Sequence, residues 1–339
     1  MTLAPPIESQ LCLAGLAVAY PPDVVDGRDL GMTAEDQRDS GFRQVHVARD
    51  PADTLELMCE AARAALEDAG VRPGEVQALL VLRNGFYERH ATALLSLLAA
   101  DRLGVPGGLC LDLKNPGCAG LLLGVEHAAA LLSRREVERV LVLGGGVIDP
   151  PGQRWLADPP IPGRPRSGIL SGDGAYAVVV GRGRGALEIL SHRILLDREF
   201  ADLTRVAGGV DVTDRQEFAR WLKAAPLWSA RALMDAMLAS GTAERPHILV
   251  GTNSRMKLET FERLAHGAAD PRIRRMLDLQ VEEMGRVGHV VGGDGCGSLV
   301  ALLRAGALAP GDLIVCLEIG EAYFYGAGVL RAADPAGRA

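Results

Sequence analysis

Apolar and polar positions along the chain alternate between two periods. Residues 11–19 form an almost continuous apolar run of strand length. Residues 54–69 place Leu55, Met58, Cys59, Ala62, Ala65 and Leu66 at helical spacing and stop at Gly70. The same reading gives strands at 76–81, 109–113 and 137–143, the last ending at Gly144-Gly145-Gly146. Helices fall at 90–103 and 118–132. Residues 175–180 and 186–189 read as a hairpin around Gly181-Arg182-Gly183-Arg184-Gly185. In the second half, helices are expected at 227–240, 257–266 and 297–305. Another runs from Pro271 towards Gly285, with Asp270 as its cap and proline tolerated in its first turn. Strands are expected at 247–250, 313–317 and 323–330. Repeated strand–helix alternation predicts an α/β fold with parallel or mixed sheets.

A short internal similarity suggests duplication. Cys118-Ala119-Gly120-Leu121 opens a helix that leads to the strand Val140-Leu141-Val142. Cys296-Gly297-Ser298-Leu299 opens another, which leads past Pro310-Gly311-Asp312 to Leu313-Ile314-Val315. Both helices are rich in Ala, Gly and Leu and suit a buried, closely packed position. The expected organisation is an N-terminal half over 1–185, a C-terminal half over 186–331 and a tail over 332–339.

Composition narrows the function classes. The 339 residues are 48% hydrophobic, enough for one large core or two fused half-cores. No run of about 18 residues is apolar and free of charge, and the first residues lack a basic segment followed by an apolar one. A cytoplasmic protein without a membrane span is therefore expected. A net charge of −7, from 36 basic and 43 acidic residues, argues against a nucleic-acid surface. Six cysteines without Cys-x-x-Cys spacing suggest reduced thiols and argue against zinc, so neither a metal nor a cofactor is expected. The loop Gly292-Gly293-Asp294-Gly295 lacks the lysine of a phosphate-binding loop.

Cys118 differs from the other five cysteines in its local setting. It follows the strand at 109–113 and a sharp connection, Lys114-Asn115-Pro116-Gly117, and an apolar helix follows it. A cysteine at a helix start faces unpaired N–H groups and the positive end of the helix dipole. That field favours thiolate, and the same amides can later hold an oxyanion. A small buried residue in a tight turn has the same local signature, so chain-wide pattern has to separate the two.

Leu111-Asp112-Leu113-Lys114-Asn115-Pro116-Gly117-Cys118-Ala119-Gly120 resembles the nucleophile segment of the ketoacyl-acyl-carrier-protein synthase III family. Other segments resemble that family in the right order. They are Ser40-Gly41-Phe42-Arg43, Ser171-Gly172-Asp173-Gly174-Ala175, Pro310-Gly311-Asp312-Leu313 and Tyr323-Phe324-Tyr325-Gly326-Ala327. The resemblance implies a thiolase-like α/β fold, with two duplicated βα half-domains and mixed sheets around buried helices. It also implies a homodimer, and puts Phe86 in a segment near the dimer contact and acyl pocket.

The chain departs from the family's condensing enzymes where their chemistry is specified. Their second catalytic residue is a His opening a His-Gln-Ala-Asn motif. Here the segment reads Val250-Gly251-Thr252-Asn253-Ser254-Arg255, with Asn253 and Arg255 retained as substrate-binding candidates. Their third is an Asn, in a position this chain fills with His289. Valine donates no hydrogen bond to a developing enolate, whereas an imidazole at 289 can activate an acceptor. The pattern resembles the family's Cys-His-acid acyltransferase branch.

Three acids are candidates to orient His289. Glu321 is the first choice because the family has small residues there. Asp294 fits a cap for the following helix, and Glu318 closes the preceding strand. The expected activity is acyl transfer through an acyl-Cys118 intermediate to a hydroxyl, amine or thiol in polyketide or other secondary metabolism. The donor is an acyl carrier protein or acyl-coenzyme A thioester, and the acceptor is a small or carrier-bound molecule. The early segment lacks the family's adenine-stacking Trp, which favours a carrier-protein donor; Arg164, Arg166 and Arg255 are candidates for the pantetheine phosphate. The alternatives are decarboxylative condensation and a non-catalytic thiolase-fold partner subunit.

Overall fold

In the computed structural model, strand alternation sorts side chains onto the two faces of one nine-stranded sheet. Residues 10–50, 53–83, 94–106, 108–114, 117–147, 154–157, 168–200, 206–207, 210–211, 215–243, 248–251, 270–320 and 324–334 are described. The sheet strands are β1 (Leu11–Ala19), β4 (Ala78–Arg83), β5 (Leu109–Lys114), β6 (Arg139–Gly146), β9 (Gly174–Arg182), β10 (Leu187–Leu196), β13 (Ile248–Gly251), β14 (Leu313–Ile319) and β15 (Phe324–Ala332). Three short pairs complete the strands: β2 (Asp23–Asp26) with β3 (Gln44–Val47), β7 (Trp155–Ala157) with β8 (Gly168–Leu170), and β11 (Val206–Ala207) with β12 (Val210–Asp211). The helices are α1 (Ala34–Ser40), α2 (Asp53–Ala69), α3 (Leu95–Leu103), α4 (Gly120–Leu132), α5 (Arg215–Ser240), α6 (Pro271–Val287) and α7 (Asp294–Arg304).

The order β13-β14-β15-β10-β1-β9-β6-β4-β5 repeats one pattern outward from the centre. On one side, β1–β9 and β9–β6 pair antiparallel and β6–β4 parallel. On the other, β10–β15 and β15–β14 pair antiparallel and β14–β13 parallel. The expected α/β class and the expected doubling of a βα unit both appear in this pairing. The two mixed halves join into a single sheet through an antiparallel β1–β10 contact.

Alternation along each strand builds separate cores. In β9, Tyr176, Val178 and Val180 face α4 and α7, while Ala175, Ala177 and Val179 face α2. In β6, Val140 and Val142 take the first face and Leu141 and Leu143 the second. Helix α4 (GLLLGVEHAAALL) is apolar on most of its surface because strands of both halves surround it. Helix α5 covers the outer face of β10, β14 and β15 through Ala225, Ala232 and Ala236.

Two local expectations change. The segments at 175–180 and 186–189 do not form a hairpin, because β1 lies between β9 and β10 and pairs with both. Their connection instead crosses the end of β1, where Gly183 N–H donates to the Gln10 carbonyl at 2.8 Å. Helix α4 starts at Gly120 rather than at Cys118. Cys118 therefore sits in the turn just ahead of the helix, preceded by Gly117 at φ +56°. Asp270 caps α6 as expected, accepting from Arg272 N–H at 2.8 Å.

Candidate active site

Cys118 and His289 come from opposite halves and meet beneath the surface. Cys118 Sγ lies 3.1 Å from His289 Nε2, and Nδ1 of the same ring lies 2.7 Å from Asp294 Oδ2. Cys118 is 5% exposed and His289 3%. A carboxylate only accepts, so Nδ1 carries the proton and Nε2 is turned to the thiol. Nε2 then accepts the S–H proton, or, once protonated, donates to the thiolate.

Electrostatics favour the protonated ring. Burial pulls the His289 pKa down, but the charges of Asp294 and Cys118, with the hydrogen bonds to both, outweigh it. The pKa stands well above the ordinary histidine value. The other buried cysteines are held as neutral thiols by burial. Burial raises Cys12 to about 11 and pushes Cys296 and Cys316 well above the usual thiol range.

Local backbone fixes the histidine. Helix α6 ends at Val287, and Gly288 follows at φ +73°. A Cβ there would lie 2.3 Å from Val45 Cγ1 and 2.7 Å from the Leu170 carbonyl oxygen, so glycine is required. His289 N–H donates to Leu170 O at 2.8 Å, and Gly172 N–H donates to His289 O at 3.0 Å. The 170–172 segment thus straps the histidine backbone in place. Arg154 and Asp173 brace the strap as a fully buried bidentate pair at 2.9 and 2.8 Å. Asp173 also accepts from Ala48 N–H, and Arg154 O accepts from Ser171 N–H. Nothing in the sequence signals Arg154, because it meets Asp173, 19 residues on, only once β7 and β8 pair.

The start of α4 packs against the loop that carries the histidine. A Cβ on Gly120 would fall 2.4 Å from the Tyr176 hydroxyl and 2.9 Å from the Gly292 carbonyl oxygen. Only glycine permits that approach, which brings Cys118 within reach of His289.

The three candidate acids separate. Asp294 is the first residue of α7, and no side-chain bond caps that helix. Instead of capping, its carboxylate turns back, accepting from Val290 N–H at 2.9 Å and contacting His289. The reason is that Cα–Cβ bonds tilt towards a helix's N-terminus, here towards the preceding loop. Glu318 accepts from Leu122 N–H at 2.7 Å. Glu321 lies outside the described residues, as do Phe86, Asn253, Arg255, Arg164 and Arg166. Among the described residues, no group of three or more His, Cys, Asp or Glu side chains is arranged to hold a metal ion.

No family model matches the chain. A β-ketoacyl-[acyl-carrier-protein] synthase III from Cereibacter sphaeroides is 33% identical over 176 residues, covering 50% of this chain and 51% of the relative. The chain spans about half the length of the curated relatives it matches. Among solved structures, ChlB3, an acyltransferase, superposes with a TM-score of 0.77 at 21% identity, covering 97% of this chain and 100% of that one. The priming β-ketosynthase of the R1128 polyketide pathway superposes with a TM-score of 0.73 at 20% identity, covering 98% and 99%. The chain shares the fold of these enzymes and, over about half its length, is similar in sequence to members of the ketoacyl synthase III family. The family resemblance sets Val250 against the histidine of condensing members. Val250 is buried in β13, beside Cys316 of β14. Among the described residues, no helix is long and apolar enough to cross a membrane.

Proposed function

We propose that this protein is an acyltransferase that carries its acyl group on Cys118. The observation that supports this most is the buried Cys118–His289–Asp294 relay, at 3.1 and 2.7 Å. The Cys118 thiolate attacks a carrier-protein or coenzyme A thioester. The tetrahedral oxyanion collapses and expels the carrier thiolate, which takes the proton from the His289 imidazolium. The neutral ring then removes a proton from a hydroxyl, amine or thiol acceptor as it attacks the acyl-Cys118 carbonyl. Cys118 leaves as thiolate and His289 is again protonated. Asp294 stabilises the imidazolium in each half-reaction, as the acid does in a Ser-His-Asp triad. Glu321 remains a second acid candidate for this pocket, with Asn253, Arg255 and Phe86 as candidates for substrate contact. The acyltransferase ChlB3 shares the fold over nearly the whole chain. A role in polyketide or other secondary metabolism is in keeping with that likeness and with the R1128 ketosynthase.

Decarboxylative condensation is the second reading, favoured by the synthase III names of the curated relatives. Against it stands Val250, which donates nothing to an enolate. A homodimer is proposed through β5. Among the described residues, β5 pairs only with β4, and Leu94, Leu97 and Leu98 beside it are exposed.

Intact-protein mass spectrometry after incubation with carrier-protein and coenzyme A thioesters tests the proposal. An acyl mass is expected on Cys118, and none on Cys118→Ala. Acyl loading of the variant would overturn it. Carbon dioxide release from a malonyl thioester by the wild type would move the assignment to condensation.

A further inference from the structure

Helix α4, which follows the nucleophile, begins without a cap of its own. The cap position holds Ala119, which makes no side-chain hydrogen bond. The first-turn N–H groups of Gly120, Leu121 and Leu122 have no partner within the helix. One of them is satisfied from another element. Glu318, on β14 of the opposite half, reaches across the core and accepts from Leu122 N–H at 2.7 Å. The carboxyl is 1% exposed.

Glu318 lies among buried side chains of both halves. Its neighbours include Tyr176 on β9, Cys296 on α7 and Cys316 on β14. Burial first, and the Glu318 charge second, raise the pKa of all three. Desolvating a carboxylate is costly, and the bond from Leu122 N–H offsets part of that cost. The bond it makes lies four residues after Cys118, in the turn that determines where the thiol stands relative to His289.

We propose that Glu318 is a positioning residue for Cys118: its hydrogen bond to Leu122 N–H replaces the missing cap of α4 and holds the nucleophile turn against the half that carries His289. This rests on Cys118 being the nucleophile. It adds a coupling between the two halves that the Cys118–His289–Asp294 relay does not contain.

The test measures alkylation of Cys118 by iodoacetamide, followed by peptide mass mapping, with the cooperativity of unfolding recorded for each variant. Alkylation needs no acyl donor. A wild type that reacts with iodoacetamide but never with a thioester would defeat the acyltransferase reading and leave this one measurable. Glu318→Gln retains an accepting oxygen and is expected to react within about threefold of wild type. Glu318→Leu removes the bond and is expected to fall at least ~10-fold while unfolding in one transition. Should Glu318→Leu not fold, Glu318→Met carries the comparison. A folded Glu318→Leu that reacts at the wild-type rate would overturn the proposal. So would a Glu318→Gln rate as low as that of the leucine variant.

Discussion

At the scale of single residues, the chemistry depends on which groups surround one imidazole. Burial by itself would leave His289 neutral; the Asp294 charge is the larger of the two charges opposing it. Asp294→Asn keeps an acceptor for Nδ1 and deletes that charge, so the His289 pKa must fall. In the proposed acyl transfer the protonated ring is the acid that serves the departing carrier thiol. Acylation is therefore lost as pH rises through the pKa of the Cys118–His289 pair. In Asp294→Asn the alkaline limb of the acylation rate should move to lower pH, and the rate at neutral pH should drop on the order of 10²-fold or more. A limb that stays in place would show that another acid charges the ring. Cys118 was legible beforehand only through the ordered family-like segments: a strand, a Pro-Gly turn and an apolar helix in succession suit a small buried residue equally well, and the helix starts two residues later, at Gly120. Its partner acid was not. Asp294 has the sequence signature of a helix cap, and only the backward turn of its side chain towards Val290 gives it a different task.

At the scale of elements, the histidine is held by a strap rather than by its own helix. Residues 170–172 bond to both backbone groups of His289, and the strap is anchored by the Arg154–Asp173 pair. Removing one member of a buried pair leaves a desolvated charge and costs about 3–5 kcal/mol. Arg154→Met should therefore lower the urea-unfolding free energy by roughly that amount. Arg154→Met/Asp173→Asn should recover much of it, since no buried charge is then left over. An Arg154→Met protein as stable as wild type would mean that the strap draws its hold from elsewhere. The periodicity of the sequence placed α6, which ends just before the histidine, but not β3, β7 or β8, which flank the strap. The link between β9 and β10 was misread because local turn residues say nothing about a third strand entering between their neighbours.

At the scale of the whole molecule, two similar halves bring one group each of the proposed relay to a shared boundary. Cys118 precedes the buried helix of the first half and His289 the corresponding helix of the second. The open side of β5 and the exposed Leu94, Leu97 and Leu98 then give the assembly a natural place to double. Light scattering on the purified protein should report a dimer, and Leu97→Glu should shift it towards monomer by placing a charge in an apolar contact. A wild type that remains monomeric at high concentration would remove this face from consideration.

What the sequence determined by itself was the alternation of elements, the α/β class, the doubling of a βα unit and, through the family resemblance, the candidacy of Cys118 and His289. Each is carried by a local period, by a turn signature or by a motif that stays contiguous in the chain. What only the tertiary structure decided was how residues from distant segments share space. Asp294 rather than a helix end receives the histidine, Arg154 meets Asp173 beneath the strap, and Glu318 reaches the first turn of α4. Those contacts follow from the crossing of strands and the depth of burial. A linear pattern does not encode such quantities, because a carboxylate's partner depends on which N–H or cation the folded backbone leaves within about 3 Å of it.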